Sequence, residues 1–366
     1  MAVLYRAHAQ SRALEEELVK NNISYQIFGG TKFYERKEIK DILAYLKILI
    51  NKDDDVSLAR IINVPKRGIG VKSWAKVEKF AVDRRLSLYD VLSYIDQVPG
   101  LTPRAIKQLK DFKILMEQFH EKLSTSAITE ITSHILNETG YLEALIQEDT
   151  VEAETRREYL REFLNVTTNY DQKNPAGSLE DFLAEVSLVT DIDNYVDESD
   201  KLVLMTLHSA KGLEFPVVFI MGMEEGTFPH FRSLTSEQEM EEERRLCYVG
   251  MTRAKYKLYL SFAKRRFIYG ETYPKLPSRF LQEIPEEYLD ISTNREKVHA
   301  SNILASRSFN EQPGNNFRVG DKVSHQKWGE GLIVEVKPGD TVIKVAFSKQ
   351  GIKSLDTCFA PLKLLE

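Results

Sequence analysis

Two segments hold most of the residues able to do chemistry. The first reads Thr206-Leu207-His208-Ser209-Ala210-Lys211-Gly212-Leu213-Glu214-Phe215 and lies between two apolar runs. The hydroxyls of Thr206 and Ser209 and the imidazole of His208 can donate to phosphate oxygens. The Glu214 carboxylate can accept hydrogen bonds from a ribose. Polar residues after an apolar parallel strand stand where open α/β sheets bind ligands, although a solvated loop with a capping glutamate explains the spacing more plainly. The second segment reads Glu241-Glu242-Glu243-Arg244-Arg245-Leu246-Cys247-Tyr248-Val249-Gly250-Met251-Thr252-Arg253-Ala254. Its leading glutamates suit the positive N-terminal end of a helix. Each arginine offers a planar fork of donors to a phosphate. Arg253 stands near the expected helix end, where a side chain can reach across an interface. Arg244 and Arg245 fit equally well a series of ion pairs one turn apart on an exposed face.

Three further segments hold candidates. Tyr5-Arg6-Ala7-His8-Ala9-Gln10-Ser11-Arg12 follows the first apolar run, and Arg6 can serve either a polyanion backbone or a nearby carboxylate. Asn63-Val64-Pro65-Lys66-Arg67-Gly68-Ile69-Gly70-Val71-Lys72 opens a basic stretch continued by Lys76 and Lys79. Gly68 and Gly70 around one apolar residue allow a tight turn between helices. Its N–H groups, with Lys66, Arg67 and Lys72, can then face a phosphate; a plain helix-connecting turn is the alternative. Trp328, in Val323-Ser324-His325-Gln326-Lys327-Trp328-Gly329-Glu330-Gly331, is either an interface anchor or barrel core. No metal site is expected: His208, His230 and His325 are isolated, and Cys247 and Cys358 have no ligand or redox spacing.

These residues need elements to position them. Residues 2–5 read as a strand, 9–20 as a helix and 23–28 as a second strand closed by Gly29-Gly30, a β-α-β unit. Residues 31–200 carry helical periodicity broken by turn signals at Pro65, Pro99-Gly100, Gly140 and Pro175-Ala176-Gly177. Apolar runs at 202–207 and 217–221 suit buried parallel strands. A helix is expected over 237–255, with Ser236 and Glu239 as a capping box, then a strand over 257–262. Residues 286–316 are rich in Ser, Asn and Glu and read as a flexible linker. From Phe317 short strands and glycine turns suggest a small five-stranded barrel. Net charge is −5, so any nucleic-acid surface must be local. No apolar run is long enough to span a membrane. With no signal-peptide pattern and two thiols expected to stay reduced, a cytoplasmic location is expected. A chain opening directly on a buried strand also reads as truncated.

Taken whole, the strings at 206–215 and 241–254 resemble motifs V and VI of superfamily 1 DNA helicases of the UvrD/PcrA/Rep type. Residues 5–12 resemble motif IV, with His8 where the family usually has asparagine. Residues 29–33 and 63–72 resemble parts of the 2B subdomain, the latter its duplex-contacting hairpin. Residues 323–331 resemble the Tudor-like tail associated with RNA polymerase binding. The resemblance implies a multidomain α/β fold: a RecA-like parallel-sheet domain 2A over 1–29 and 201–285, an all-helical 2B insertion over 30–200, the linker, and an SH3/Tudor-like β-barrel over 317–366. In that family ATP sits between two RecA-like domains, and the first supplies the phosphate-binding loop and the carboxylates that handle Mg²⁺. No Gly-x-x-x-x-Gly-Lys-Ser/Thr string occurs here. The resemblance therefore implies the C-terminal half of an ATP-dependent 3′–5′ helicase, inactive without an N-terminal 1A/1B half. It implies Arg253 as the arginine finger and Glu214 near the ribose, with the Mg²⁺ ligands outside this chain. Arg6, Thr206 and His208 would face single-stranded DNA. Lys66, Arg67, Gly68, Gly70 and Lys72 would face duplex DNA, and Trp328 RNA polymerase. The alternative is a non-catalytic module that binds DNA and docks on RNA polymerase.

Overall fold

A computed structural model describes residues 1–123, 125–193, 201–268, 271–290, 317–325, 328–336, 342–347, 350–357, 360 and 362–365. The chain opens with β1 (Ala2–Tyr5), α1 (Ser11–Lys20) and β2 (Tyr25–Ile27). Nine helices follow among the described residues: α2 (Lys37–Ile50), α3 (Asp55–Ile61), α4 (Val71–Arg84), α5 (Leu88–Val91), α6 (Pro103–Leu123), α7 (Ile128–Glu138), α8 (Tyr141–Glu148), α9 (Val151–Lys173) and α10 (Leu179–Asp193). The chain then returns to strands with β3 (Leu202–Thr206), β4 (Phe215–Met221), α11 (Glu237–Met251) and β5 (Ala254–Ser261). Two paired strands, β6 (Arg265–Ile268) and β7 (Glu271–Pro274), and the short α12 (Arg279–Gln282) follow. The last five strands are β8 (Lys322–His325), β9 (Gly329–Val336), β10 (Val342–Phe347), β11 (Gly351–Asp356) and β12 (Leu362–Leu365).

Five strands form a sheet in the order β2-β3-β1-β4-β5. The β1–β4 and β4–β5 pairs are parallel, with Leu4 opposite Ile220 and Ile220 opposite Leu260. β1 is buried along its whole length, as expected of a strand covered on both faces. By its contacts the chain divides into two compact units. One comprises Met1–Arg6, Thr206–Arg266 and Pro274–Glu366, and the other Ala7–Met205 and Phe267–Tyr273. The helical unit buries the α2 stripe Ile39, Ile42, Leu43, Leu46 and Leu49 together with Phe112, Phe119 and Phe163. Among the described residues no helix is long and apolar enough to cross a membrane.

Several element ends differ from the sequence expectation. α11 stops at Met251, and β5 begins at Ala254, opposite Phe215. Pairing with β4 takes Ala254 and Lys255 into the strand, and this tertiary gain overrides the helix expected to run to residue 255. β2 is confined to Tyr25–Ile27. Most of the expected linker, residues 291–316, and Cys358 lie outside the described residues. The C-terminal strands form an antiparallel sheet in the order β11-β10-β9-β8-β12. Its core is Val323, Ile333, Ile343, Val345, Phe347 and Leu355.

Candidate functional site

Helix α11 organises the site. Its buried residues Met240, Glu243, Cys247 and Gly250 fall at helical spacing on one stripe. Gly250 is the point of closest approach, because a Cβ there would collide with Leu207 and crowd Ile220. Ser236 caps the helix by accepting from the Glu239 N–H at 3.3 Å, the half of the capping box that is formed. Arg244 pairs with Glu241 and Glu283, and Arg245 with Glu242, so both serve the ion-pair role on the exposed face. Burial pushes the Cys247 thiol up to about 12, which removes it from nucleophilic chemistry.

Because α11 runs antiparallel to its neighbouring strands, its two ends serve opposite edges of the sheet. The seven-residue β4 separates those edges by about 20 Å. At the C-terminal edge, the Leu207 N–H donates to the Tyr5 carbonyl at 2.8 Å, which fixes the Thr206–His208 segment beside the end of β1. Arg6 leaves β1 here and donates from Nε to Glu243 at 2.8 and 3.1 Å, with Nη2 2.8 Å from the same carboxylate. Glu243 is 6% exposed and also accepts from the His230 main-chain N–H at 2.9 Å. Arg6 is thus committed to a carboxylate, and only its Nη1 group has no partner among the described residues. Thr206 is buried, and its hydroxyl closes the turn by binding the Ser209 N–H and hydroxyl. This corrects its expected role as a free phosphate donor: it shapes the loop that presents His208. His208 is exposed. Desolvation by its surroundings and then the Arg6 charge lower its pKa, while Glu243 opposes them.

At the N-terminal edge, Arg253 follows α11 and donates three hydrogen bonds. Nε reaches the Val249 carbonyl at 2.8 Å, Nη1 the Leu213 carbonyl at 3.0 Å and Nη2 the Thr252 hydroxyl at 3.0 Å. A guanidinium has five N–H groups, so two remain without a partner among the described residues. Arg253 is held by neutral acceptors and keeps its full charge. Its carbonyl accepts from the Phe215 N–H at 2.9 Å, which ties it to the loop carrying Glu214. Glu214 is exposed, with Lys255 at 3.6 Å.

In the helical unit the 63–72 segment joins α3 to α4. Gly68 has φ +75°, a conformation costly for other residues. Gly70 lies in ordinary extended space as the N-cap of α4, and Ile69 between them is buried. Arg67 departs from its expected role. Its Nη1 donates to the carbonyls of Ile61, Ile62 and Val64 at 2.9, 3.2 and 3.1 Å, its Nη2 donates to the Tyr45 hydroxyl at 2.5 Å, and the guanidinium lies 5.0 Å over Phe112. It therefore caps the open carbonyls at the end of α3 and faces inward. Lys66 and Lys72 remain exposed. Arg104, on α6, is also exposed, and its guanidinium lies 3.3 Å from where a Gly68 Cβ would stand. Sequence reading missed it because only the fold brings α6 beside the turn. It also missed Glu243, for which a signal existed: a glutamate on an otherwise apolar helix stripe.

His8 lies in this unit too, packed on Gly30. Burial and the Arg36 charge lower its pKa to about 4, opposed by a hydrogen bond to the Gly29 main chain. The imidazole is neutral and engaged there. Trp328 is half-buried in the C-terminal sheet. It stacks on His325 at 4.2 Å and packs on Phe347 at 5.5 Å, while Lys353 lies 5.8 Å over its ring. One face of the indole is core.

Comparison with known proteins identifies the family. Residues 1–265 match the model of the UvrD-like helicase C-terminal domain, and residues 319–363 that of the PcrA/UvrD tudor domain. The chain is 45% identical to the ATP-dependent DNA helicase PcrA of Bacillus subtilis over 99% of its own length and 52% of that protein. It is 43% identical to the proteins of that name in Staphylococcus epidermidis and Staphylococcus aureus, over 99% and 100% of this chain and 51% and 52% of theirs. The chain thus spans about half the length of the curated relatives it matches. With residues 1–265 matched, most of its length, the chain belongs to the UvrD-like helicase C-terminal domain family.

Proposed function

We propose that this chain forms the C-terminal half of an ATP-dependent 3′–5′ DNA helicase. The observation that carries the reading is α11, a single rigid helix with an arginine site at each end. Glu243 holds Arg6 near one end, and Arg253 follows the other. From Glu243 to Met251 the helix spans about 12 Å, so a small tilt at one end moves the other.

The donors at the N-terminal edge fit a nucleotide. The two free N–H groups of Arg253 suit a terminal phosphate, and the exposed Glu214 carboxylate suits ribose hydroxyls. When bound in the whole motor, ATP with Mg²⁺ supplies the free energy of phosphoryl transfer, with the Mg²⁺ ligands on the N-terminal 1A/1B half. Arg253 would then neutralise charge that develops on the transferred group. At the C-terminal edge, Arg6 and His208 would bind the single-strand backbone on a loop shaped by Thr206. In the helical unit, Lys66, Lys72 and Arg104 would meet duplex phosphates around Gly68 and Gly70, with Arg67 bracing the turn from behind. The outer face of Trp328 and the neighbouring Lys353 would meet RNA polymerase. Truncating Trp328 should then weaken polymerase capture with the fold intact.

The deciding experiment is ATP turnover stimulated by single-stranded DNA, measured for this chain alone and after mixing with a separately expressed N-terminal half. Silence alone and turnover on mixing support a split motor in which this half supplies Arg253. Silence in both cases, with DNA binding retained, favours the docking-module reading. Turnover by this chain alone refutes the division of labour.

A further inference from the structure

We infer that Glu243 is a positioning residue for nucleic-acid binding: one buried carboxylate aims Arg6 outward and fixes the His230 loop beside it. The inference rests on the reading of the C-terminal sheet edge as a single-strand contact and adds a role for a residue with no direct place in that contact.

Position 243 lies on the buried stripe of α11 between Met240 and Cys247, where an apolar side chain would serve packing better. A carboxylate in such a place is expensive unless its hydrogen-bonding capacity is used. Here it is used by two other elements. Arg6, at the end of β1, supplies Nε and Nη2, and the loop before α11 supplies the His230 N–H. The start of the chain and the loop before α11 therefore meet at one carboxylate. The grip on Nε and Nη2 fixes the guanidinium plane and leaves Nη1 turned away from the carboxylate. The ion pair is neutral overall, so this junction adds orientation to the edge and no net charge. The exposed His208 follows the Thr206–Leu207 segment, which the Leu207 N–H bond to the Tyr5 carbonyl fixes beside the end of β1.

The test is the affinity of the whole 366-residue chain for a fluorescein-labelled oligothymidylate, read by anisotropy across a salt series. Glu243→Gln removes one negative charge, so a purely electrostatic role predicts tighter binding. Positioning predicts the opposite: affinity about fivefold to tenfold weaker and a log–log salt slope smaller by about 0.7, the loss of one single-strand phosphate contact. Arg6→Ala should show the same loss, and the double variant should be no worse than Arg6→Ala alone. Arg6→Lys keeps the charge and the fold but cannot both grip the carboxylate and present a third group, so it should bind like Arg6→Ala. Unchanged or tighter binding by Glu243→Gln, or wild-type binding by Arg6→Lys, overturns the inference while leaving the edge reading intact. No effect of Arg6→Ala, or no binding by the wild-type chain, overturns both.

Discussion

The two ends of α11 hold arginines in opposite ways. Near one end Arg6 is gripped by a carboxylate that is 6% exposed, so its charge is cancelled and its direction is fixed. Beyond the other end Arg253 is held by the Val249 and Leu213 carbonyls and the Thr252 hydroxyl, so its direction is fixed and its charge is kept. A neutralised, oriented fork suits a repeating backbone that must be bound and released. A fully charged fork suits a single centre where charge develops during a reaction. The helical unit repeats the contrast: Arg67 is spent on carbonyls inside the turn, whereas Arg104 lies exposed beside it.

The sharpest way to break this comparison is Arg253→Ala in the assembled motor. Single-strand-stimulated ATP turnover should fall by about 10³ while oligothymidylate affinity stays close to wild type; normal turnover would dismiss the charged-fork role. Next is Glu243→Ala, which strands Arg6 and the His230 N–H in a mostly buried place. Urea denaturation should register a loss of about 2 kcal/mol, and a loss below half that would mean the junction is not structural. In the helical unit, Arg104→Gln should weaken binding to a labelled duplex severalfold and lower the salt slope by about 1 with stability unchanged. Arg67→Ala should lower stability first, and the reverse pattern would exchange their roles.

His8 offers a comparison within one sequence string, two residues from Arg6. Its pKa is about 4 in the folded chain against an ordinary 6.5, so the folded state prefers the neutral ring. The stability this contributes is full above pH 6.5 and drains away as pH falls towards 4. Melting temperatures across that window should fall more steeply for the wild type than for His8→Asn; parallel curves would mean that the imidazole is not sequestered. The smallest effect is expected at Lys255→Ala, which breaks an exposed 3.6 Å pair with Glu214 and should cost no more than about 0.5 kcal/mol.

The sequence by itself determined the alternation of architectures. Apolar runs around 2–5, 202–207 and 217–221 suited buried strands, the periodicity from 31 onward read as helices, and the glycine-spaced strands after 317 suggested a small barrel. It also showed which strings could carry chemistry, although spacing alone left the plainer structural readings open and only the resemblance of the whole strings pointed to phosphate and ribose partners. Tertiary structure alone decided which of those side chains remain available. Arg6, Arg67 and Arg253 look alike in sequence. One is neutralised by a carboxylate 237 positions away, one is turned inward onto helix-end carbonyls, and one is braced with its charge intact. Thr206 spends its hydroxyl on its own turn, and Arg104 joins the Gly68 turn only because α6 packs there. The physical reason is that backbone preference and hydrophobic period are local properties of the chain, whereas the partner of a long charged side chain is fixed by whichever distant group folding delivers within 3 Å or so of it.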